Sequence, residues 1–266
     1  MALFALFFGI FGLIVGSFLN VVILRKGVTS LQGRSKCPAC GKVIAWYDLV
    51  PVFSWIFLRG RCHNCGSRIS IQYLLVEAST GILFALVGGA PFLGFAFTFY
   101  FCAIVALLVC ITVYDIHHTI IPDAWAYTFA FLAFLLVFAF PPQATGYWLL
   151  AILAGPIAAL PLFLLWLVSQ GRWMGLGDAK LALGIGWLLG PFAGVVAIFF
   201  SFILGTAILV PLLLYERAIT HIRPFQRRLR GLTMKSEVPF GPFLIGSCLI
   251  IWFFQLYGIP TPFIEI

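Results

Sequence analysis

The sequence predicts an all-α polytopic membrane protein: about eight transmembrane helices joined by short turns, with one long polar loop near the N-terminus. Two observations carry that prediction. Of 266 residues, 63% are hydrophobic and only 9% charged. A soluble domain of ordinary composition carries roughly 25% charged residues. This chain lacks the polar surface to cover itself in water, so lipid is its solvent. The second observation is that the apolar sequence comes in blocks. Each approaches the roughly 20 residues needed to cross a hydrocarbon core.

In order, the predicted spans are 2–24, 72–89, 92–114, 121–140, 147–168, 173–190, 192–215 and 239–258. The first has no basic segment before it, and Arg25 and Lys26 follow it, so it reads as a retained span rather than a cleaved signal. Uncharged breaks fall at Gly88-Gly89-Ala90-Pro91, Pro141-Pro142, Gly190-Pro191 and Gly258-Ile259-Pro260. The remaining connections, 25–71, 115–121, 169–178 and 216–238, have all 16 Lys and Arg residues in or beside them. The positive-inside rule therefore puts these four in the cytoplasm and the N-terminus outside. The sixth span is short and Gly-rich, but if it failed to cross, the basic residues of 216–238 would move outside. Topology thus accounts for the net charge of +8, and no nucleic-acid partner is needed. The basic 216–238 segment is expected to meet anionic lipid. Tyr47, Tyr100, Trp148, Trp173 and Tyr257 stand at span ends, where aromatic anchors are found. Gly12/Gly16 and Gly186/Gly190 have the spacing that lets helices approach closely. Glu265 stands alone on the outer side with no assignable role.

The 25–71 segment contains Cys37-Pro38-Ala39-Cys40-Gly41 and Cys62-His63-Asn64-Cys65-Gly66. Two Cys-x-x-Cys pairs suit a tetrahedral tetrathiolate zinc site, and a cytoplasmic location disfavours disulfides. Four thiolates leave no open position for catalysis, so the zinc is structural. A loop this small has little core of its own, and the metal supplies folding energy. The Gly after each pair allows the tight turn that brings N–H groups to sulfur. His63 reads as a bystander, and Cys102, Cys110 and Cys248 as apolar packing residues. The fold class is then eight helices plus a cytoplasmic zinc-binding loop. Its predicted division is a first helix (1–24), the four-cysteine zinc loop (25–71) and a seven-helix membrane domain (72–266).

Acidic residues number only eight. Ionisable groups at membrane depth are functional candidates by default. Asp115 closes the third span, Asp123 opens the fourth behind Pro122, Asp178 opens the sixth behind Gly175-Leu176-Gly177, and Glu77 lies about one and a half turns into the second. Asp115 has no Lys or Arg within a turn and sits at a helix C-terminus, where the dipole disfavours an anion. Two boundary carboxyls on neighbouring helices can share a proton and activate water, as in aspartic proteases. By the dipoles, Asp178 is the ionised base and Asp115 the protonated acid. No Gly-x-Ser-x-Gly or His-Glu-x-x-His motif offers another nucleophile or metal mechanism. Lys180, two residues on, either faces lipid or tunes the pair. Buried acids and Gly/Pro-broken helices also suit a proton-coupled transporter, but that reading expects midplane acids between inverted repeats. Here they gather at one boundary.

These residues, with Gly16-Ser17-Phe18-Leu19-Asn20, Trp46-Tyr47-Asp48, Arg59-Gly60-Arg61-Cys62, Tyr73-Leu74-Leu75-Val76-Glu77, Ile121-Pro122-Asp123, Gly175-Leu176-Gly177-Asp178-Ala179-Lys180 and Pro239-Phe240-Gly241-Pro242-Phe243, run through nearly the whole chain. The ordered set resembles the prepilin peptidases, membrane aspartic proteases of the type IV leader peptidase family. The resemblance implies a multi-pass enzyme of the bacterial cytoplasmic (inner) membrane. It would cut short basic leaders from type IV prepilins and pseudopilins with Asp115 and Asp178, after a Gly that precedes a long apolar helix. Asp123 matches a third acid not assigned to catalysis. Members with the Cys tetrad also methylate the new N-terminus, usually Phe, from S-adenosylmethionine. Gly60 and Arg61 match a pair linked to that methyl transfer, with Arg where Lys is common. Since a basic leader would be repelled by 216–238, Asp48, Glu77 and Asp123 are the acids expected to receive it.

Overall fold

The computed structural model describes residues 1–25, 33–91, 93–139, 148–222 and 238–259, with side chains omitted for 216–222. The Pro141-Pro142 break, Pro260, Glu265, Lys26 and the basic side chains between 216 and 238 lie outside the described residues. Among the described residues the chain is helical apart from two isolated antiparallel bridges, Lys36 with Val43 and Arg61 with Arg68. It divides into two compact units, Met1–Val113 and Tyr114–Ile266.

The first unit contains α1 (Ala2–Arg25), the cysteine loop with its short helix α2 (Phe53–Phe57), α3 (Ile71–Gly89) and most of α4 (Phe95–His118). α1 and α3 pack antiparallel along a glycine seam. A Cβ at Gly9 would meet Ala85, one at Gly12 would lie 2.7 Å from Phe84 Cβ, and one at Gly16 would lie 2.8 Å from the Glu77 backbone. The Gly12/Gly16 spacing read from the sequence is therefore used for close approach, whereas in Gly186/Gly190 only Gly186 meets a neighbouring helix, at Ala154, and Gly190 serves as a helix stop with nothing within 4 Å. Phe8 and Phe11 then pack edge-on against Phe99 of α4.

The second unit contains the end of α4, α5 (Asp123–Ala139), α6 (Trp148–Ser169), α7 (Leu176–Leu189), α8 (Pro191–Ile222) and α9 (Gly241–Leu256). Its centre is α7, which touches α5, α6, α8 and α9. Two features of α6 show how the neighbours complete each other. Pro156 cannot donate to the carbonyl of Ile152, and the indole N–H of Trp187 on α7 takes that acceptor at 2.8 Å. Gly155, beside it, has no room for a Cβ against the same indole. At the other end of α7, Gly190 closes the helix at φ +88°. The C-terminal carbonyl of Leu189 accepts from Gln255 Nε2 of α9 at 3.1 Å.

Each predicted span contains one helix. Five of these helices, α1, α3, α4, α6 and α8, are long and apolar enough to cross a membrane. α5 and α9 are apolar but shorter. The sixth span is reduced to α7, whose 14 residues reach only about 21 Å, less than the roughly 30 Å core. The cause is local: Arg172 to Gly175 are not helical, and Gly190-Pro191 ends the helix at the far side. The protein is thus an all-α polytopic membrane protein, and the central helix of its second unit is a short one packed among α5, α6, α8 and α9.

Candidate functional site

Chemistry-bearing side chains gather at two places, one in each unit. In the first unit the loop brings Cys37, Cys40, Cys62 and Cys65 together, with all four Sγ atoms within 4.8 Å of one another. The two pairs are built alike. Gly41 N–H donates to the Cys37 carbonyl at 2.8 Å, and Gly66 N–H to the Cys62 carbonyl at 2.9 Å. Gly41 and Gly66 adopt φ of +70° and +68°, a conformation glycine reaches without a Cβ penalty. Each turn is closed by one of the two isolated bridges.

All four cysteines are free thiols. The Cys37 thiol is drawn down to about 6, first by the backbone N–H of Cys40 and then by that of Ala39 and the Ser67 hydroxyl. Cys65 is lowered by the same hydroxyl, which lies 3.1 Å from its Sγ. Zinc–sulfur bonds of about 2.3 Å place tetrahedral sulfurs roughly 3.8 Å apart, and Cys37 Sγ and Cys65 Sγ are 3.9 Å apart. The donor set therefore fits a tetrathiolate metal ion. Ser67 was not singled out by the sequence reading, and its only sequence signal is a hydroxyl two residues beyond the fourth cysteine.

Around this cluster, Gly60 is buried at φ +64°, and a Cβ there would lie 2.7 Å from the Trp55 ring. Arg61 beside it is exposed. Asp48 is mostly buried and stands 3.5 Å from His63 Nδ1, which gives His63 a contact the sequence reading did not expect. Glu77 is buried in α3. Its carboxylate accepts the Val52 N–H at 2.7 Å and the Ser17 hydroxyl.

In the second unit the site is built from helix ends. Asp115 lies in the last turn of α4, which stops at Thr119 in the left-handed region, φ +53°. Asp178 is the third residue of α7, with Gly175 as the N-cap. Its carboxylate reaches back to the Gly175 N–H, as a capping-box acid does. Both are removed from solvent, at 3% and 9% exposure, and they lie within electrostatic reach of each other. Two glycines permit the convergence. A Cβ on Gly177 would press on Ile121 at 3.0 Å, and one on Gly241 would meet Asp115 Oδ2 at 2.6 Å. With hydrogen there instead, Gly241 N–H donates to Asp115 Oδ2 at 3.0 Å.

Gly241 is the first residue of α9. Asp115 therefore closes one helix but faces the N-terminus of another. Both carboxyls meet a helix N-terminus, so the dipole argument that assigned them separate acid and base roles no longer distinguishes them. Lys180 is not turned to lipid: its ammonium pairs with Asp123 Oδ1 at 2.7 Å and lies 5.3 Å from the Tyr127 ring centroid. Asp115, Asp123, Asp178 and Lys180 all line one cavity of about 1010 Å³. The same lining includes apolar side chains, Phe202 and Leu209 from α8, and Phe240 and Phe243 from the start of α9.

Two family profiles match the chain. The bacterial peptidase A24 N-terminal domain covers residues 10–89, and the type IV leader peptidase family covers residues 102–210. Among curated relatives, a protein of Dichelobacter nodosus named prepilin leader peptidase/N-methyltransferase is 30% identical over 95% of this chain and 91% of its own length. A Bacillus subtilis protein of the same name is 29% identical over 94% and 92%. A Myxococcus xanthus protein, also so named, is 36% identical over 70% of this chain, a match spanning 56% of its own length. No solved structure matches. The chain belongs to the type IV leader peptidase family, and it is a peptidase by that membership.

Proposed function

We propose that this protein cleaves the basic leader peptides of type IV prepilins or pseudopilins at the cytoplasmic face of the bacterial inner membrane. Asp115 and Asp178 act as a general acid–base pair. The observation that carries this reading is the convergence of two buried carboxyls on one open cavity, each holding a helix-start N–H. Like charges within electrostatic reach in a desolvated site do not readily both ionise, so the pair shares a proton and titrates as one unit. The ionised member takes a proton from water as that water attacks the scissile carbonyl. The protonated member gives its proton to the carbonyl oxygen. Collapse of the tetrahedral intermediate then protonates the leaving amine and restores the pair. The Gly241 and Gly175 N–H groups hold the two carboxyls in register for these transfers.

The apolar residues of α8 and of the start of α9 in the lining suit the membrane helix that follows a leader, and the exposed Asp123 carboxylate, paired with Lys180, is the acid that would exchange that partner for a basic leader residue. The gathering of every Lys and Arg in or beside four connections favours the cytoplasmic side. The labour divides by sequence, with 72–266 performing proteolysis and the 25–71 loop serving a second step, N-methylation of the exposed terminus from S-adenosylmethionine as co-substrate. A structural zinc ion held by Cys37, Cys40, Cys62 and Cys65 would fold that loop. The exposed Arg61, fixed by the buried Gly60 turn, is proposed to meet the methyl donor. The relatives' shared name supports both activities.

The test is a single assay. A prepilin with its apolar segment is incubated with wild type, Asp115→Asn and Asp178→Asn, in the presence of labelled methyl donor. We expect both variants to lose leader cleavage while methylating a substrate supplied already cleaved. Full cleavage by either variant would refute the pair.

A further inference from the structure

The cysteine loop has a face that its two metal-binding turns do not use. Between the Cys pairs, Trp46 is 81% exposed, Tyr47 53%, Phe53 56%, Ile56 54% and Phe57 82%. Five large apolar side chains exposed within twelve residues, two of them in ring contact (Trp46 and Tyr47), are of the kind that soluble surfaces avoid and that marks an interaction site. The patch is not a product of local disorder. α2 is oriented by Trp55, the side chain turned inward under Gly60. Its N-cap, Val52, is held at φ +64° by the 2.7 Å bond from its N–H to Glu77.

That bond fixes depth. Glu77 lies six residues inside α3 from Ile71, about 9 Å along the helix axis. At that level α3 already packs on α1 through Gly16, and both helices are membrane spans. The start of α2 therefore lies beside the helical hairpin, within the reach of the Glu77 side chain from that level. A segment at this height meets the boundary between headgroups and acyl chains, where Trp and Tyr are enriched. The charge of the loop agrees. Six Lys and Arg side chains in residues 33–70 are exposed, against Asp48 as the lone acid, an arrangement complementary to anionic phosphates.

We infer that residues 46–57 are a membrane-interface element. Trp46, Tyr47, Phe53, Ile56 and Phe57 insert into the leaflet on the Arg25/Ile71 side and hold the four-cysteine cluster against the bilayer surface. The occupant of the patch is lipid. The buried Glu77 carboxylate is the latch that sets its height.

The experiment uses the full chain in phosphatidylglycerol-containing vesicles. The Trp46 signal is the difference in fluorescence between wild type and Trp46→Phe, with metal content confirming that the variant's loop is folded. Lipids brominated near the headgroup end of the chain should quench that signal at least about twofold more than lipids brominated near the terminal methyl, as an interfacial indole requires. Phe57→Trp, read as a difference from wild type, supplies an independent reporter and should give the same order. Quenching by aqueous iodide with none by either brominated lipid overturns the proposal. So does a signal open to iodide until a leader-bearing apolar peptide is added, since the patch would then be a substrate surface.

Discussion

The two clusters of reactive side chains are assembled in opposite ways. The four cysteines lie within 29 residues of one another in sequence and inside one loop. Two short turns, each with a positive-φ glycine, orient them. The carboxyl site draws on Asp115, Asp178 and Gly241, which come from α4, α7 and α9, and none of these segments has that geometry alone. The difference predicts independence. The cysteine cluster should respond to its metal, and the carboxyl pair to the packing of glycines.

The strongest break in that comparison is a crossed experiment. Asp178→Asn should lower leader cleavage by about 10³-fold, within the span of general acid–base effects, and leave metal content at the wild-type value. Stripping the metal with a chelator should do the reverse. Residues 33–70 should become sensitive to trypsin, since a loop this small depends on its metal, while leader cleavage stays within about twofold. A large loss of cleavage on chelation would show that the two regions are coupled.

Gly241→Ala sharpens the comparison from the carboxyl side. Its methyl group would lie 2.6 Å from Asp115 Oδ2, so the carboxyl must move and lose its N–H bond. Misplacement of about 1 Å costs a rate factor of about 10². We expect that loss in kcat, with methyl transfer to a pre-cleaved peptide unchanged. Gly246→Ala, at a position open to a Cβ, serves as the control on the same helix.

Ser67→Ala does the same for the cysteine side. It removes the hydroxyl that lowers Cys65 and helps lower Cys37. Metal affinity, measured by chelator competition, should fall about tenfold, the lower end of the effect of a supporting ligand contact. The pH dependence has a definite sign. Cys37 must be a thiolate to bind metal, and its thiol is drawn down to about 6. Cys40 is instead pushed up to about 11 by desolvation and its neighbouring thiols, so metal must displace protons at neutral pH, and uptake by the metal-free protein should weaken steadily as pH falls, with the Cys37 contribution lost through about 6. In Ser67→Ala that weakening should begin at higher pH.

The smallest effect belongs to Asp123 and Lys180. Asp123 is 66% exposed and Lys180 17%, and an ion pair with one member open to solvent contributes about 0–1 kcal/mol. Lys180→Met should change thermal stability little and slow cleavage by a few-fold. Asp123→Asn should do the same and also weaken binding of a basic leader, read as a rise in KM. An unchanged KM would remove Asp123 from the leader site.

Much of this was legible in the sequence because it depended on neighbours in the chain. Apolar blocks gave each helix its approximate bounds, since a span must satisfy its own backbone in lipid. The Cys-x-x-Cys-Gly pairs specified their turns, because ligand spacing and the glycine after it are local requirements. Asp115 and Asp178 stood out because charge at membrane depth is costly. The rest depended on contacts between distant segments. Only the packed structure shows that Asp115 faces the N-terminus of α9, which cancels the dipole difference expected from its own helix. Only packing pairs Lys180 with Asp123 and lets α7 remain short, since its ends are completed by neighbours such as Gln255. Composition and spacing determine which residues enter the membrane and which can bind metal. The partner of Asp115 is set by which helix end arrives beside it, and that follows from where Gly241 allows the α9 backbone to approach.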